Sequence, residues 1–270
     1  MEVRKKTFSD EDLIKSLRQR KKELKSLALF GTSVTDQGIL SLSGRTDLET
    51  LHISSKIIGN AVMRCAQTLP NLKELLLSGV PCVNDQGLEM IQDVTNLRGL
   101  YLEKTSITDC GLLFLKKLKN LWSLVLKKTK ISDNGFEIFE HLPKISLVEA
   151  SYTVVSGSGL RYFAGKKRLD LYLSSSCLCD ENFCLGISGL DGISTLDLCY
   201  NKISDRSIAL LSGLESLSDL RLSGTQVTEK VLDIILSFNR KMIVYLQDVS
   251  ISSNKLIRFK EENPQLCVYI

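Results

Sequence analysis

The stretch that decides the fold is Leu97-Arg98-Gly99-Leu100-Tyr101-Leu102-Glu103-Lys104-Thr105-Ser106-Ile107-Thr108-Asp109-Cys110-Gly111-Leu112. Its apolar, Thr, Asp and Gly positions recur with a near-constant step of 24 residues, in copies that begin at positions 24, 48, 72, 97, 121, 145, 168, 193, 217 and 241. One such copy is too small to bury its own apolar face, so neighbouring copies must stack on one another. The period therefore predicts a repeat protein that forms a single stack.

Each copy contains a short strand. When the first residue of a copy is counted as offset 0, offsets 3 and 5 are apolar in every copy. The pairs are Leu27/Leu29, Leu51/Ile53, Leu75/Leu77, Leu100/Leu102, Leu124/Leu126, Val148/Ala150, Leu171/Leu173, Leu196/Leu198, Leu220/Leu222 and Val244/Leu246. Residues two apart share one face of a strand, so these pairs should enter the core while offsets 2, 4 and 6 point outward. One strand per copy predicts a parallel sheet.

A turn and a helix follow the strand. Offset 8 is usually a hydroxyl or amide residue such as Thr105, whose side chain can satisfy peptide groups in a buried turn. Offset 11 is usually Ser or Thr followed by an acid, as in Thr108-Asp109, which suits a helix N-cap and opposes the positive end of the helix dipole. Apolar residues at helical spacing come next, as in Leu112, Leu115 and Leu118. Each copy is predicted to be strand, turn and helix.

The ends of the chain differ from the repeats. Ser9-Asp10-Glu11-Asp12 predicts the start of a capped amphipathic helix, and Leu266–Ile270 predicts a closing strand. We therefore predict an N-terminal capping helix in residues 1–23, repeats in residues 24–253, and a C-terminal cap with its closing strand in residues 254–270.

The pattern LxxLxLxxTxITDxGLxxL, seen in Leu97–Leu115 and with small changes in Leu24–Leu42 and Leu121–Phe139, resembles the leucine-rich repeat family. The Asp-x-Gly-Leu turn and the preceding Pro-Asn-Leu are similar to the cysteine-containing type found in F-box substrate receptors, and to repeats in secreted bacterial effectors. The resemblance implies an α/β fold: a right-handed solenoid in a horseshoe arc, with a parallel sheet on the concave side, helices outside and about ten repeats. It also implies a protein-binding scaffold.

Composition and charge narrow the function classes. The formal charge of +4 comes from residues 1–26, which hold nine Lys/Arg against five Asp/Glu, whereas the rest holds 26 of each. A balanced body argues against nucleic-acid binding, which uses a basic stripe. No apolar run is long enough to span a membrane, and the charged N-terminus does not read as a signal peptide. We expect a cytoplasmic monomer, or an effector secreted into a host cell if the source is bacterial.

The residues capable of chemistry do not form a recognised site. Cys177, Cys179, Cys184 and Cys199 lack the paired spacing of zinc knuckles, and the eight cysteines of the chain favour free thiols. His52 and His141 fall three copies apart, with no convincing nucleophile beside either. We therefore expect no catalytic residues, no metal and no cofactor. A thiol-based metal sensor or enzyme built on the cysteine cluster stays open as a third hypothesis.

The outward strand positions are the candidate binding surface, because folding does not require apolar residues there. Tyrosines, aliphatic residues and charges line up at these positions, which suits aromatic anchors surrounded by orienting charges on the concave face. The predicted partner-binding residues are Leu76, Tyr101, Trp122, Val125, Lys127, Glu149, Tyr172, Asp197, Arg221 and Tyr245. A protein or peptide ligand is the expected partner, and an adaptor role in a ubiquitin-ligase complex is an alternative. The tyrosines could instead pack on one another only to stabilise the sheet.

Overall fold

The computed structural model describes residues 1–20 and 22–270. Within those residues the chain divides into two compact units: unit 1 comprises Met1–Lys130 and Ile138–Ile145, and unit 2 comprises Ile131–Glu137 and Ser146–Ile270. The predicted boundaries at 23/24 and 253/254 follow the repeat pattern rather than this grouping, and they stay a prediction. No helix in the described residues is long and apolar enough to cross a membrane.

Unit 1 alternates strands with short helices. Its elements are β1 (Glu2–Val3), α1 (Asp10–Gln19), β2 (Ser26–Phe30), α2 (Asp36–Leu40), β3 (Thr50–Ser54), α3 (Ala61–Gln67), β4 (Glu74–Leu77), α4 (Asp85–Met90), β5 (Gly99–Tyr101), α5 (Asp109–Leu112), a 3₁₀ helix (Leu113–Lys117) and β6 (Ser123–Val125). Strands β1 to β6 pair in parallel in chain order. The division between the units falls inside a further 3₁₀ helix, Asp133–His141.

Unit 2 repeats the same alternation. Its elements are β7 (Leu147–Glu149), a 3₁₀ helix (Ser158–Phe163), β8 (Leu169–Tyr172), α6 (Asp180–Gly186), β9 (Ile193–Asp197), α7 (Asp205–Ala209), a 3₁₀ helix (Leu210–Gly213), β10 (Asp219–Arg221), α8 (Val231–Ser237), β11 (Met242–Tyr245), α9 (Ser253–Glu262) and β12 (Leu266–Tyr269). Strands β7 to β12 also pair in parallel in chain order.

The core of both units is built from the predicted strand positions. Every residue at offsets 3 and 5, from Leu27 and Leu29 to Val244 and Leu246, is buried. Full burial of one such side chain contributes roughly 1.5–3 kcal/mol, so the ladder of pairs is a main source of stability. The predicted parallel sheet and its register are confirmed.

The turn after several strands is closed by a hydroxyl or amide side chain. Thr105 Oγ1 donates to the carbonyl of Leu102 at 2.7 Å, and Thr153 Oγ1 donates to the carbonyl of Ala150 at 2.6 Å. In unit 2 the amide of Asn201 donates both to Leu198 in its own copy, at 3.0 Å, and to Leu173 in the copy before, at 2.8 Å. These bonds satisfy carbonyls that the sheet leaves unpaired, as the sequence predicts.

The acids at the helix starts have a role that the sequence analysis missed. Asp85 accepts the N–H of Thr108 at 2.8 Å and its hydroxyl at 2.6 Å, so the acid of one copy holds the cap residue of the next. The same pair of bonds joins Asp10 to Thr35, Asp133 to Ser156, Asp180 to Ser204 and Asp205 to Thr228. In addition to the predicted dipole effect, these acids fix the position of one copy relative to the next through charge-assisted hydrogen bonds.

The glycine of the Asp-x-Gly-Leu turn follows from the same contact. A β-carbon at Gly159 would lie 2.6 Å from the backbone oxygen of Asp133, which belongs to the preceding copy. A β-carbon at Gly111 would meet the carboxylate of Asp85 in the same way. Neither glycine has a positive φ, so backbone conformation does not require glycine here. The requirement comes from the close approach of two copies, which leaves no room for a β-carbon.

The helices are shorter than their apolar spacing suggests, and several are 3₁₀ rather than α. Leu112, Leu115 and Leu118 are spaced by three residues, and side chains at i and i+3 eclipse in a 3₁₀ helix. The segment accordingly changes from α5 to a 3₁₀ helix at Leu113. A spacing of three satisfies both geometries, and only packing in the stack selects between them.

Both ends are closed by a strand. At the N-terminus α1 begins with a capping box, in which Asp12 N–H donates to Ser9 Oγ at 3.4 Å and Ser9 N–H donates to the Asp12 carboxylate at 3.0 Å. Strand β1 precedes α1 and pairs with β2, an element that the sequence analysis missed because two residues carry no periodicity. At the C-terminus the predicted closing strand is present as β12.

Candidate functional site

The outward positions of the strands form one continuous row in each unit. Strand register in unit 1 aligns Ala28, His52, Leu76, Tyr101 and Val125, which we call the unit-1 row. Register in unit 2 aligns Glu149, Tyr172, Asp197, Arg221, Tyr245 and Tyr269, which we call the unit-2 row. Tyr269 belongs to an eleventh copy, which continuing the 24-residue count to position 265 would have found. Most of the predicted binding residues therefore lie in line within their own unit.

Tyr101 is the aromatic centre of the unit-1 row and is half-buried. Its ring and the carboxylate of Glu74 both occupy the space over Gly99, where a β-carbon would lie 2.8 Å from the ring. Burial raises the pKa of Glu74, although Arg98 and a hydrogen bond from Tyr101 act in the opposite direction. Leu76 and Val125 flank Tyr101 and are also half-buried, so the row presents a partly exposed apolar surface.

His52 lies on the unit-1 row, as predicted, but its surroundings are aromatic. The centroids of its ring and that of Phe30 are 4.5 Å apart in an edge-on arrangement, and the Arg4 guanidinium lies 4.2 Å from the Phe30 centroid. Burial, followed by the charge of Arg4, lowers the pKa of His52. Both effects favour the neutral imidazole, which packs against Phe30 as part of the surface.

The unit-2 row is organised around a guanidinium. Arg221 lies 5.5 Å from the Tyr172 ring centroid and 5.3 Å from that of Tyr245, so a cation is held between two tyrosines. Asp219 fixes the same group through Nε–Oδ1 contact at 3.0 Å. Tyr245 in turn stacks on Tyr269, with centroids 5.1 Å apart and an interplanar angle of 15°. The alternative that these tyrosines stabilise the sheet by packing thus has a structural basis in unit 2.

Asp197 is buried, in contrast to the expectation from the sequence. The sequence predicts an exposed orienting charge, but the residue is only 9% exposed because it lies in the row between Tyr172 and Arg221. Its carboxylate accepts the N–H of Cys199 at 2.9 Å. Burial, together with the charge of Asp197, raises the pKa of the Cys199 thiol to about 12. Asp197 is therefore a buried member of the row, whereas Glu149 and Arg221 are partly exposed.

The residue after the strand is left-handed in most copies, which the sequence analysis missed. The positive-φ positions are Gly31, Gly79, Lys104, Lys128, Tyr152, Ser175, Tyr200, Gly224 and Asp248. A bulky residue adopts this conformation only against steric resistance. Tyr200 is 57% exposed, yet it is fixed: its ring lies over Gly224, where a β-carbon would be 2.5 Å from Cε1, and its hydroxyl donates to Asp248 at 3.1 Å.

Trp122 lies apart from the unit-1 row. It occupies offset 1, immediately before the start of β6, and is 39% exposed. It borders a groove of about 400 Å³, which we call the Trp122 groove. The other lining residues are Asn71, Lys73, Asn96, Arg98, Asn120 and Lys144, all in unit 1. None of these others was predicted, although the asparagine before the first leucine recurs in three successive copies, at positions 71, 96 and 120. Lys127 was predicted with Trp122 and lies half-buried beyond β6.

The cysteine cluster spreads over different elements. Cys179 is the N-cap of α6 and Cys184 lies within α6, whereas Cys199 lies two residues beyond the end of β9 and not on a strand face. Within the described part of the chain, no group of three or more His, Cys, Asp or Glu side chains is arranged to hold a metal ion. The absence of zinc and of a native disulfide stays a prediction for metal analysis and thiol titration.

Similarity to solved structures identifies the architecture. The chain is similar to the crystal structure of internalin InlF from Listeria monocytogenes, with a TM-score of 0.56 and 20% identity over 91% of this chain and 80% of that one. The fold is that of a leucine-rich-repeat protein. It is also similar to the internalin C2 of L. monocytogenes, with a TM-score of 0.51 and 23% identity over 81% of this chain and 76% of that one. The α/β leucine-rich-repeat fold class is confirmed.

A third leucine-rich-repeat structure comes from an octameric complex of latrophilin 3, Unc5D and FLRT2. It has a TM-score of 0.62 and 17% identity over 97% of this chain and 80% of that one. No protein-family model matches the chain, and no curated protein matches it either. At these identities the likeness establishes the leucine-rich-repeat fold alone.

Proposed function

We propose that this leucine-rich-repeat chain is a non-enzymatic interaction module that binds a protein or peptide on the outward face of its sheet. The observation that carries the proposal is the alignment of half-exposed apolar and aromatic side chains along rows that the core does not require. Contiguous apolar surface is unfavourable in water unless a partner covers it. The internalin and FLRT2 structures support the proposal, because FLRT2 is part of a complex with other proteins.

The residues divide into anchors and orienters. Tyr101, Tyr172 and Tyr245 supply large amphipathic rings, the residue type most often found at energetic hot spots. Glu149 and Arg221 supply accessible charges that would orient a partner. Tyr172 and Tyr245 already hold Arg221 between them, so their side chains are ordered before a partner binds. Binding would therefore cost little side-chain entropy.

A double substitution tests the proposal. Tyr101→Ala with Tyr172→Ala should abolish partner capture, since truncating one anchor commonly reduces affinity by about thirtyfold. The matched control, Lys116→Ala with Lys117→Ala, changes the helix side of unit 1 and should leave capture nearly intact. Both variants should first show the same circular dichroism and melting as the parent. A greater loss of capture from the lysine pair would place the binding surface on the helices and overturn the proposal.

The repeat subtype and the cellular role of the chain are two narrower proposals. The Pro-Asn-Leu and Asp-x-Gly-Leu signatures favour the cysteine-containing, F-box-receptor-like subtype, and with it an adaptor role in a ubiquitin-ligase assembly. Co-purification with ligase components tests that role directly. A secreted effector acting on a host protein is the other version of the same function, and fractionation of the source cells distinguishes it from a cytoplasmic monomer.

A further inference from the structure

The Trp122 groove is built from two facing ladders of unit 1. Lys73, Arg98 and Trp122 occupy offset 1 of successive copies, and their backbones are in register: Arg98 N–H donates to Lys73 at 2.7 Å and Trp122 N–H donates to Arg98 at 2.8 Å. Asn71, Asn96 and Asn120 form the opposite ladder, two residues earlier in each copy. We propose that this groove binds an extended, acidic segment of a partner protein, with carboxylates on Arg98 and Lys144 and an apolar contact on Trp122.

The walls of the groove are rigid. The asparagine side chains donate across copies, from Asn71 to the carbonyl of Thr46 at 2.7 Å and from Asn96 to that of Pro70 at 2.8 Å. Asn120 also donates, to the carbonyl of Thr95 at 3.0 Å. Because these amides are fixed by the backbone of the preceding copy, the groove exists before a ligand arrives, and binding need not order it.

The accessible charged side chains of the groove are cations. Lys73 is paired with Glu49 at 2.6 Å, so its charge is largely offset. Lys144 Nζ donates at 2.7 Å to the neutral amide oxygen of Asn120, which orients its charge without cancelling it. The guanidinium of Arg98 is exposed, and it acts on Glu74 and Glu49 through its charge, with no hydrogen bond or salt bridge to a side chain of the described residues. Arg98 and Lys144 therefore offer two cations to a ligand, and arginine suits bidentate contact with a carboxylate.

The dimensions favour a peptide over a nucleic acid. Three neighbouring strands span about 10 Å, which matches about three residues of an extended chain. A groove of about 400 Å³ accommodates such a segment. Nucleic-acid binders neutralise many phosphates, on the order of six to ten, whereas this groove offers two available cations and the chain beyond residue 26 is balanced in charge.

The inference names the chemistry of a partner and so rests on the proposed function, but it has its own readout. Trp122 is the only tryptophan in the sequence, so tryptophan emission reports on the surroundings of this one residue at the groove. A short capped glutamate-rich peptide should change this emission saturably at low salt, and the change should weaken as salt is added. A lysine-rich peptide of equal length and a single-stranded oligonucleotide should bind far more weakly.

Matched variants locate the binding. Arg98→Gln with Lys144→Gln should weaken the glutamate-rich peptide at least about tenfold, equivalent to about 1.4 kcal/mol. Lys116→Gln with Lys117→Gln removes the same formal charge from the helix side and should leave the affinity unchanged. Equal loss in the two variants, equal binding of the lysine-rich peptide, tighter binding of the oligonucleotide, or no change in emission with any probe overturns the inference. Partner capture that depends on Tyr101 and Tyr172 would stand in each of these cases, so the two proposals fail separately.

Discussion

The outward row of unit 1 and that of unit 2 lie on equivalent strands over equivalent cores, yet they carry different chemistry. Unit 1 presents aliphatic residues around Tyr101, with cations gathered at the Trp122 edge. Unit 2 presents a connected layer of Tyr172, Arg221 and Tyr245. The buried pairs beneath both rows are interchangeable Leu, Ile, Val and Ala, so folding does not explain the difference. The comparison indicates that the outward rows are the part of the repeat free to specialise for recognition.

The charged neighbours that shift pKa values also differ between the two units. On unit 2, burial and then the charge of Asp170 raise the pKa of Tyr172, and the bond to Asp248 raises that of Tyr200. On unit 1, the hydrogen bond from Lys73 and the charge of that lysine lower the pKa of Glu49, and the charges of Lys25 and Arg98 act in the same direction.

The largest expected effect separates core from row within a single strand. Leu124→Asp in β6 should unfold unit 1, because it removes roughly 1.5–3 kcal/mol of apolar burial and leaves a carboxylate unpaired in the core. Val125→Asp, one residue later and half-exposed, should leave the fold intact. Circular dichroism and chemical denaturation measure both. Similar melting of the two variants would contradict the register on which both rows depend.

The next largest effect on stability is expected from the hydrogen bonds that Asp133 accepts from the following copy. Burial alone would raise the pKa of Asp133, but the bonds from Ser156, Gly159 and Gly157 outweigh it and hold that pKa below its usual value of about 3.9. Its contribution to stability is therefore present above that value and is lost as pH falls through the depressed folded pKa. Asp133→Asn should reduce stability by about 1–3 kcal/mol near neutral pH, with a smaller difference in acid.

The measurement for Asp133 is chemical denaturation at a series of pH values. Glu137→Gln is a suitable control, because it removes a carboxylate from the same 3₁₀ helix without touching these bonds. A deficit in Asp133→Asn that stays constant down to acid pH would show that the carboxylate is not the stabilising form.

Two arginines, one on each unit, should differ in their contribution to stability. Arg221→Gln should lower the stability of unit 2 by about 1 kcal/mol, because the guanidinium contacts two aromatic rings. Arg98→Gln in unit 1 should have a smaller effect on folding, since this exposed side chain acts on Glu49 and Glu74 only through its charge. Thermal unfolding of the two variants side by side checks the contrast. An equal effect would mean that the unit-2 layer is not specially packed.

The smallest effect is expected at the left-handed positions, and its sign should differ between units. Lys104→Gly should stabilise unit 1 by about 0.5 kcal/mol, because relief of backbone strain exceeds the added freedom of the unfolded chain. Tyr200→Gly should destabilise unit 2, because the ring covers Gly224 and the hydroxyl bonds Asp248. Melting temperatures measured to within a degree would resolve the signs. Stabilisation by Tyr200→Gly would show that its ring is carried for a purpose other than folding.

The sequence predicts the repeat, the buried pairs and the alignment of the rows, because a 24-residue period and a two-residue alternation are local properties of the chain. It also determined the hydroxyl turns and the capped first helix. The tertiary structure alone decided what each outward side chain meets in the next copy. That is why Asp197 is buried beside Arg221, why Asp133 bonds Ser156, and why the ladders around Trp122 form a groove. Contacts between residues about 24 positions apart depend on how copies stack, and no pattern within one copy records them.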